Sequence, residues 1–329
     1  MDQKLKRYLL LMRHGKSDWR YDFADFDRPL RKRGKRAAQR MGAWLVEQNL
    51  IPNYILSSPA ERASNTAAKL TKAMGLTNRH IYSNKLLYDG GLHELKAALA
   101  HCPQSAERVL LIGHNPGLED LLMYLKRGDL PVSSGGKLLP TATLAILAMP
   151  NDWLSLTPGC AEVLSINRPA TLPNEFPYNG LMGQEYRQRP AYYYFQSAAI
   201  PYRMEGEELQ FMLISSSGNN HWGIPKGIVE PGYTPAASAK IEAWEEAGIE
   251  GTISDQMLGY YNYQKWGATC TVLVYPILVS RIVDKNNWEE NHRCRQWLSL
   301  IKAIELIDQE PLKVLIAKLA NKITDKKSR

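Results

Sequence analysis

The sequence contains few cysteines and no long apolar run. Its four cysteines, Cys102, Cys160, Cys270 and Cys294, stand far apart and form no C-x-x-C pair. This spacing argues against a zinc ribbon or a disulfide scaffold and favours a reducing, cytoplasmic setting. Apolar runs such as Leu144–Met149 end after a few residues, whereas a membrane span needs about 18. We therefore expect a cytoplasmic protein that does not enter a membrane.

The N-terminal stretch also lacks the pattern of a secretory signal. Lys4, Lys6 and Arg7 precede only the apolar run Tyr8–Met12, whereas the core of a signal peptide has roughly 7–15 apolar residues. Internal repeats and low-complexity tracts are absent from the sequence. With 329 residues, 44% of them hydrophobic and 22% charged, the chain has the composition of an ordinary globular protein of about two domains.

Positive charge is concentrated in the first part of the chain. Residues 1–190 carry 26 Lys and Arg against 17 Asp and Glu, while residues 191–329 carry 15 against 16. A basic half favours an anionic partner such as phosphate, polyphosphate or nucleic acid. The densest basic run, Arg31–Arg36, predicts either a solvated helix start or a rim that gathers phosphate. Nucleic acid is disfavoured, because no nucleic-acid-binding module is recognisable and no aromatic residue interleaves with this run.

Strand-like and helix-like segments alternate through the first half. Short apolar strands are predicted at Tyr8–Met12, Tyr54–Leu56, Val109–Ile112, Thr143–Ala148 and Glu162–Ile166, and helices at Arg33–Gln48, Ala60–Met74 and Pro116–Leu125. This alternation predicts an α/β domain over residues 1–168, with a mostly parallel sheet and helices on both of its faces.

The pattern changes after residue 168. Residues 169–189 are rich in Pro and Gly and carry no periodicity, so we predict a linker there. Beyond it, one helix at Thr234–Ala247 lies among strands predicted at Ala191–Tyr202, Leu209–Ser215, Met257–Gln264, Ala268–Ile282 and Arg295–Leu298. This arrangement predicts a second, α+β domain over residues 190–329.

Three clusters of chemically active residues follow predicted strands of the first domain. They are Met12–Ser17, Ser57–Ala63 and Ile112–Gly117. Because the carboxyl ends of parallel strands meet at one edge of a sheet, the clusters can converge. An imidazole can attack phosphorus through an unprotonated ring nitrogen, and adjacent arginines favour that neutral ring. Guanidinium groups and helix N-terminal amides bind phosphoryl oxygens. The clusters therefore indicate phosphoryl transfer.

These clusters resemble the motifs of a known family. Leu11–Trp19, Ser57–Ala67 and Leu111–Leu121 are similar to the three motifs of the histidine phosphatase superfamily, and most of all to its SixA-like, phosphohistidine phosphatase branch. The resemblance covers about residues 6–168. It implies His14 as nucleophile, Arg13, Arg62 and His114 as a phosphate clamp, Ser17 as a further phosphate contact, and no cofactor for this domain.

The general acid of such a phosphatase is left open by the sequence. Many members of the superfamily carry a carboxylate in the loop before a helix, and the candidates here are Asp89 and Glu94. SixA-like proteins lack a clear acid, since the leaving group of a phosphoramidate is already basic. Asp89 is therefore one reading, and the absence of a protein acid is the other.

A cluster of carboxylates marks the second domain. Glu242, Glu245 and Glu246 have the spacing i, i+3, i+4, which places them on one face of the predicted helix. Such a face is either solvated or neutralised by a hard divalent cation, for which Mg²⁺ and Mn²⁺ are the candidates. The spacing alone leaves both readings open.

The surrounding sequence resembles the Nudix box. Gly227–Ile249 follows most of the pattern G-x5-E-x7-R-E-U-x-E-E-x-G-U, where U is bulky and apolar. Trp222–Gly227, Trp288–Glu290 and Arg295–Trp297 are similar to segments of Nudix hydrolases that act on dinucleoside polyphosphates and diphosphoinositol phosphates. The resemblance covers about residues 190–320. It implies Glu242, Glu245 and Glu246 as metal ligands, and Glu245, Glu246, Glu289 or Glu290 as the base.

Three positions depart from the box, one of them the small Ala243 where the box has a bulky residue, and one lysine stands next to it. Tyr233 replaces the first glutamate and Ile241 replaces the arginine, a pair that mainly braces the loop against the helix in the family. Lys226 is a candidate contact for substrate phosphate, with an ordinary surface lysine as the alternative. The domain is therefore either an active hydrolase or a degenerate sensor of phosphate ligands.

Together these features predict a bifunctional phosphohydrolase. The first domain would act as a metal-independent phosphatase through a phosphohistidine intermediate, on phosphohistidine or phosphomonoester substrates. The second would use Mg²⁺ or Mn²⁺ to hydrolyse a diphosphate bond in a nucleoside polyphosphate, a dinucleoside polyphosphate or an inositol pyrophosphate. The expected partners are small phosphorylated metabolites or nucleotides, or a protein that carries phosphohistidine. The alternative is a phosphatase alone, with the second domain as a sensor.

Overall fold

A computed structural model describes residues 7–127, 130, 137–180, 183–216, 218, 221–288 and 290–327 of the chain. The chain divides into two compact units, Met1–Tyr186 and Arg187–Arg329. All four cysteines are free thiols. None of the helices described is long and apolar enough to cross a membrane.

The first unit alternates strands and helices, as the sequence predicts. Its elements are β1 (Arg7–Arg13), α1 (Lys32–Glu47), β2 (Tyr54–Ser57), α2 (Glu61–Ala73), β3 (Ile81–Ser83), α3 (Leu92–Ala100), β4 (Arg108–Gly113), α4 (Gly117–Leu125), β5 (Leu144–Met149), β6 (Glu162–Asn167), β7 (Phe176–Gly180) and β8 (Gly183–Arg187). The sheet has the order β3-β2-β4-β1-β5-β6, in which β3, β2, β4 and β1 run parallel and β5 pairs antiparallel with both of its neighbours, β1 and β6.

Both faces of this sheet are covered by helices. Leu10 and Met12 of β1 pack among buried residues of α1 and α2, whereas Leu9 and Leu11 pack among those of α3 and α4. Side chains alternate between the two faces of a strand, so a strand covered on both sides reads as the continuous apolar run seen in β1. The predicted α/β fold class of this domain is therefore confirmed.

The carboxyl ends of three parallel strands lie side by side at one edge. Arg13 pairs with Gly113, and Ser57 pairs with Ile112, across the ladders that join β1 and β2 to β4. The backbone of the following residues continues this contact, since His14 N–H donates to the Gly113 carbonyl at 3.2 Å. The three sequence clusters therefore start from one edge of one sheet, as predicted.

The segment predicted as a linker, residues 169–189, contains regular structure. β7 and β8 form a two-stranded sheet, and the boundary between the two units falls near the end of this segment. Leu172 and Phe176 are buried, and Arg40 of α1 donates to the carbonyls of Leu172 and Pro173. Backbone carbonyls and isolated apolar residues hold this segment on α1 without any periodicity, so the sequence pattern did not reveal the hairpin.

The second unit is built around a mixed sheet. Its elements are β9 (Phe195–Glu205), β10 (Glu208–Ser215), β11 (Trp222–Gly223), β12 (Lys226–Ile228), α5 (Pro235–Ala247), β13 (Ile249–Ile253), β14 (Gly259–Lys265), β15 (Ala268–Ile282), β16 (Arg295–Ser299), α6 (Leu300–Leu306) and α7 (Glu310–Lys327). The main path is β11-β10-β9-β15-β13, with β12 paired to β9, β14 to β15 and β16 to β10. Only the contact of β15 with β9 is parallel among the described pairs.

Helices cover both faces of the second sheet. Ala239, Ala243 and Ala247 of α5 are fully buried against residues of β9, β10 and β15. The opposite face packs on α6 and α7 through residues such as Ala303 and Ile316. The small Ala243, which departs from the bulky residue of the Nudix box, belongs to an alanine stripe that lets α5 approach the sheet closely. The predicted α+β class of this domain is also confirmed.

We predict that residues 1–186 and 187–329 each unfold cooperatively as separate proteins, because each range encloses its own buried clusters. A shorter fragment, residues 1–168, loses buried Leu172 and Phe176, and removal of one buried Phe side chain costs about 3–5 kcal/mol. Urea denaturation followed by circular dichroism should therefore give fragment 1–168 a lower free energy of unfolding, by ~3 kcal/mol or more. Equal stability of the fragments 1–168 and 1–186 would place the boundary nearer residue 168.

Candidate active sites

His14 lies directly after β1 and is almost completely buried, with 7% of its surface exposed. Its Nδ1 atom is 2.7 Å from the carbonyl oxygen of Gly15, which can only accept a hydrogen bond. The proton of the neutral ring therefore lies on Nδ1, and Nε2 keeps its lone pair. Burial lowers the pKa of His14 to about 4, and the charges of Arg62 and Arg13 contribute to the shift. At neutral pH this imidazole is uncharged.

His114 follows β4 and lies beside His14, with 5.0 Å between the ring centroids. Its Nε2 atom is 2.8 Å from Oγ of Ser58, which fixes the ring orientation from the end of β2. Burial lowers the pKa of His114 to about 3, and His14 and Arg62 add to this effect. The structure therefore brings the two histidines of separate sequence motifs together as two neutral rings.

Both predicted arginines point to the same edge of the sheet. Arg13 Nη1 donates to the Leu139 carbonyl at 3.1 Å, and Arg62 begins α2 with only 7% of its surface exposed. Thr66 connects the loop after β1 to α2, since its hydroxyl accepts from Gly15 N–H at 2.9 Å and donates to the Arg62 carbonyl at 2.6 Å. Arg13, Arg62 and the two histidines therefore form one electropositive cluster.

A close approach of two loops supports the position of His14. A Cβ atom on Gly34 would overlap the backbone of Lys16, and one on Gly15 would lie 2.8 Å from the Gly34 carbonyl oxygen. Only glycine allows the start of α1 to lie this close to the loop after β1. Ser17, the predicted further phosphate contact, is buried in this loop and forms an isolated bridge with Leu30.

Asp25 is a site residue that the sequence patterns did not identify. Its carboxylate accepts from Arg62 Nη2 at 2.7 Å, from Arg28 Nη1 at 2.8 Å and from the Tyr88 hydroxyl at 3.2 Å, and its carbonyl accepts from Arg62 Nη1. The pKa of Asp25 is lowered: partial burial opposes the shift, but the hydrogen bond and the charge of Arg62 outweigh it. The carboxylate is therefore ionised and holds the guanidinium of Arg62 in place.

The two candidates for the general acid lie elsewhere. Asp89 is exposed and has a positive φ of 54° in the loop before α3. Glu94 accepts a hydrogen bond from Gly91 N–H at 3.0 Å and so caps the first turn of α3. Among the described residues, neither carboxylate hydrogen-bonds to His14 or His114. In the described part of the chain, neither Asp89 nor Glu94 is held in position as a general acid, and the carboxylate of Asp25 is ionised.

The second unit contains a cavity of about 800 Å³. Its walls include Glu242, Glu245 and Glu246 of α5, together with Lys226, Glu290 and Arg293. Tyr233 and Ile241 also line this cavity, with 52% and 37% of their surfaces exposed. Glu289, one of the predicted bases, lies outside the described residues.

The carboxylate of Glu242 packs directly on the backbone of Gly227. A Cβ atom on Gly227 would overlap Oε1 of Glu242, so the first glycine of the box is required for this contact. Burial raises the pKa of Glu242 to about 8, and the charges of Glu246, Glu245 and Glu290 add to the shift. In the absence of a cation, this carboxyl group is therefore largely protonated at neutral pH.

Glu246 is held by two donors. Its Oε2 accepts from Lys226 N–H at 2.9 Å, and its Oε1 accepts from Arg293 Nη2 at 2.5 Å. Arg293 also donates from Nε to Oε2 of Glu290 at 2.5 Å. The Lys226 side chain lines the same cavity, with its Nζ 5.5 Å from the ring centroid of Tyr263, and burial lowers its pKa.

The donor set suits a hard divalent cation. Five carboxylates line one cavity, those of Glu230, Glu242, Glu245, Glu246 and Glu290. Burial raises the pKa of Glu242, and the charges of Glu246, Glu245 and Glu290 add to the shift, a repulsion that Mg²⁺ or Mn²⁺ would relieve. Over the described ranges, no three His, Cys, Asp or Glu side chains already converge as metal ligands. Two of the five carboxylates, those of Glu246 and Glu290, are instead paired with Arg293.

Two family models match the chain. The model of the histidine phosphatase superfamily (branch 1) matches residues 9–87, and the NUDIX domain model matches residues 195–319. Solved structures with a similar fold include the protein histidine phosphatase SixA complexed with tungstate, at 22% identity and a TM-score of 0.43, covering 50% of this chain and 97% of that chain.

Curated relatives resemble the chain over part of its length. An uncharacterized protein of Mycobacterium tuberculosis is 29% identical over 162 residues, which cover 48% of this chain and 99% of the relative. The asymmetrical bis(5'-nucleosyl)-tetraphosphatase of Sus scrofa is 30% identical over 126 residues, 37% of this chain and 85% of the relative. Diphosphoinositol polyphosphate phosphohydrolase 2 of Rattus norvegicus is 30% identical over 115 residues, 34% of this chain and 62% of the relative.

These matches agree with the two sites described above. The histidines and arginines lie in the unit matched by the phosphatase model, and the carboxylate cavity lies in the unit matched by the NUDIX model. Both domains belong to families of phosphohydrolases. The chain therefore belongs to the Nudix family and carries a histidine phosphatase superfamily domain ahead of its NUDIX domain.

Proposed function

We propose that this chain is a bifunctional phosphohydrolase with one metal-independent and one metal-dependent site. The observation that carries the proposal is the state of His14, a buried neutral ring whose Nδ1 is committed to Gly15 and whose Nε2 is left as a nucleophile. The carboxylate cavity of the second unit supports the metal-dependent part. Substrate panels applied to His14→Ala and Glu246→Gln variants of the full chain would assign each reaction to its site.

In the phosphatase domain, Nε2 of His14 attacks the phosphorus atom. A bond forms between Nε2 and phosphorus as the bond to the leaving group breaks, and water then releases phosphate and restores the neutral ring. Arg13 and Arg62 neutralise the phosphoryl oxygens, so the reaction needs no cation. His114 lies 5.0 Å away, centroid to centroid, and completes this clamp. Ser17, buried in the loop after His14, adds a phosphate contact.

The proposed site uses no general acid among the residues that the structure describes, and this limits its substrates. A simple alkoxide leaving group needs a proton in the transition state, and Asp89 would have to move to supply one. A phosphohistidine leaves as a basic imidazole that accepts a proton readily. We therefore favour phosphohistidine, on a protein or a small molecule, over phosphomonoesters as the substrate of this domain.

In the Nudix domain, Glu242, Glu245 and Glu246 would hold Mg²⁺ or Mn²⁺. The bound ion would supply an activated water and would neutralise the diphosphate oxygens. Glu245, Glu246 or Glu290 is the base, and Lys226 binds a substrate phosphate from the wall of the same cavity. The similarity to a bis(5'-nucleosyl)-tetraphosphatase and to a diphosphoinositol polyphosphate phosphohydrolase favours a dinucleoside polyphosphate or an inositol pyrophosphate as the substrate.

A second candidate function treats the Nudix domain as a sensor of phosphate ligands. Two observations favour it. Tyr233 and Ile241 replace the usual glutamate and arginine, and Arg293 forms an ion pair with Glu246, one of the proposed metal ligands. A sensor would bind polyphosphate without turnover. The metal experiment below separates the two candidates.

We expect a quenched phosphatase turnover to trap phosphate on His14 in an acid-labile, base-stable bond. His14→Ala removes the nucleophile and should abolish trapping, with a fall in turnover of several orders of magnitude. Mass spectrometry of the quenched protein locates the phosphate. The matched control is His101→Ala, which changes an exposed histidine and should leave trapping intact. Trapping on His114 would reverse the roles of the two rings.

We expect the His14 ring to stay neutral far below the ordinary imidazole pKa of ~6.5. Its folded pKa is lowered to about 4, so the uncharged, nucleophilic form persists from pH 8 to pH 5 and is lost as the pH approaches 4. Histidine ¹⁵N spectra across this range measure the change, and the His14 signals are those missing from His14→Ala. Protonation with a midpoint near 6.5 would remove the argument for a preformed nucleophile.

We expect EDTA to separate the two reactions. It should stop hydrolysis of the diphosphate and leave the phosphatase reaction unchanged, because Arg13 and Arg62 need no cation whereas the glutamates repel phosphate without one. Glu246→Gln should lower diphosphate hydrolysis at least ~100-fold, the scale of a ~3 kcal/mol transition-state interaction. Glu250→Gln, outside the cavity, is the control. Persistence of diphosphate hydrolysis in EDTA, with its loss in His14→Ala, would favour the sensor.

A further inference from the structure

The loop before β16 is anchored on the end of α5. Trp288 is buried and packs so closely on Gly248 that a Cβ atom there would overlap its ring. Arg295 donates to the carbonyls of Ala247 and Gly248 at 2.9 and 3.2 Å, and its guanidinium lies 4.0 Å from the centroid of Trp288. These contacts hold residues 290–294 beside α5.

Arg293 extends from this loop into the carboxylate cluster. Its guanidinium donates to Glu246 at 2.5 Å, to Glu290 at 2.5 Å and to the Ser215 carbonyl at 3.1 Å. Its side chain is only 11% exposed, and that of Glu246 is 14% exposed. An ion pair this well shielded from water is screened little by salt. Arg293 therefore neutralises charge at the position where the proposed cation would bind.

The cluster cannot stay fully ionised without a cation. Five carboxylates line the cavity, and removing charges from water costs several kcal/mol per ion unless each is paired. Lys226 supplies one positive charge that acts on Glu246 and Glu242, its Nζ lies 5.5 Å from the ring centroid of Tyr263, and its backbone N–H donates to Glu246. The box arginine is absent, since Ile241 stands in its place. Arg293 supplies a guanidinium from another part of the chain.

We propose that Arg293 is an internal counter-ion of the metal cluster, paired with Glu246 and Glu290 in the cation-free state and released from them when a divalent cation binds. This inference rests on the proposed metal-dependent function of the Nudix domain. It accounts for the lack of three converging acidic ligands in the described part of the chain, because two carboxylates are turned to Arg293. Once released, the guanidinium faces the same cavity and is placed to bind a substrate phosphate.

The pairing makes cation and arginine competitors for the same oxygens. Any free energy that Arg293 gains from Glu246 and Glu290 must be given up when the cation binds, which lowers the apparent affinity for the metal. An anionic substrate that binds the released guanidinium of Arg293 compensates for this lost free energy. Metal and polyphosphate are therefore expected to bind with positive coupling.

The test is the affinity of the full chain for Mn²⁺ alone, measured by electron paramagnetic resonance of the free ion. Arg293→Gln removes the competitor and should bind Mn²⁺ at least about tenfold more tightly than the unmodified chain, a gain of about 1.4 kcal/mol. Arg293→Lys keeps the charge without the two-pronged contact and should give an intermediate affinity. The matched control is Arg281→Gln, which breaks an exposed pair with Glu250 outside the cavity and should leave the affinity unchanged.

We expect the loop before β16 to keep its conformation in Arg293→Gln, because two hydrogen bonds that do not involve the Arg293 side chain hold it. Ser215 N–H donates to the Cys294 carbonyl at 2.8 Å, and Cys294 N–H donates to Oγ of Ser215 at 2.9 Å. As a second measurement, Mn²⁺ should raise the melting temperature of Arg293→Gln more than that of the unmodified chain. Equal or weaker Mn²⁺ binding by Arg293→Gln would overturn the counter-ion role while leaving the metal site intact. Failure of both proteins to bind Mn²⁺ would overturn the metal-dependent function itself, and the counter-ion role with it.

Discussion

Burial of ionisable side chains is the physical constraint on which both candidate sites depend. Loss of water disfavours the charged form of any side chain, so the same cause lowers the pKa of His14 and raises that of Glu242. The consequences for chemistry are opposite. A deprotonated imidazole is a ready nucleophile, whereas a protonated carboxyl group is neither a metal ligand nor a base. Under the proposed function, the first site acts through its own side chains, whereas the second uses a cation that would shift Glu242 back to its ionised form.

Close backbone approaches put these buried groups where they are. Gly34 lets the start of α1 lie against the loop that carries His14, and Gly227 lets Glu242 reach the backbone of β12. In both cases a side chain at the glycine would displace the functional residue. The parallel strands contribute the rest of the first site, because the ends of β1, β2 and β4 share one edge. The alanine stripe on α5 has the same role in the second unit, since it brings the carboxylate face of that helix close to the sheet.

The sequence predicted the periodic parts of the fold, and the structure brings the motif residues of each domain close together. Helices α1, α2, α4 and α5 and most long strands agree with the structure within a few residues, because burial on a regular face leaves a periodic pattern. The hairpin of β7 and β8 was missed because single apolar anchors hold its segment. Asp25 was missed because its loop also contains Asp22 and Asp27, and only the tertiary position of Arg62 distinguishes the three. Arg293 stands two residues from Arg295, and only the fold shows that Arg295 binds carbonyls while Arg293 binds carboxylates.

Burial distinguishes the residues that depart from the Nudix box from the glutamates that the box retains. Tyr233 and Ile241 are partly exposed, so the lost glutamate and arginine leave no unpaired buried charge behind, and replacing both partners of an ion pair is often close to neutral for stability. Glu242 and Glu246, in contrast, are largely shielded from water. Burial of their carboxylates opposes folding unless a cation or a cationic side chain binds them. Groups held against such a cost are concentrated at functional sites. The retained carboxylates therefore argue for metal chemistry more strongly than the two replaced brace residues argue against it.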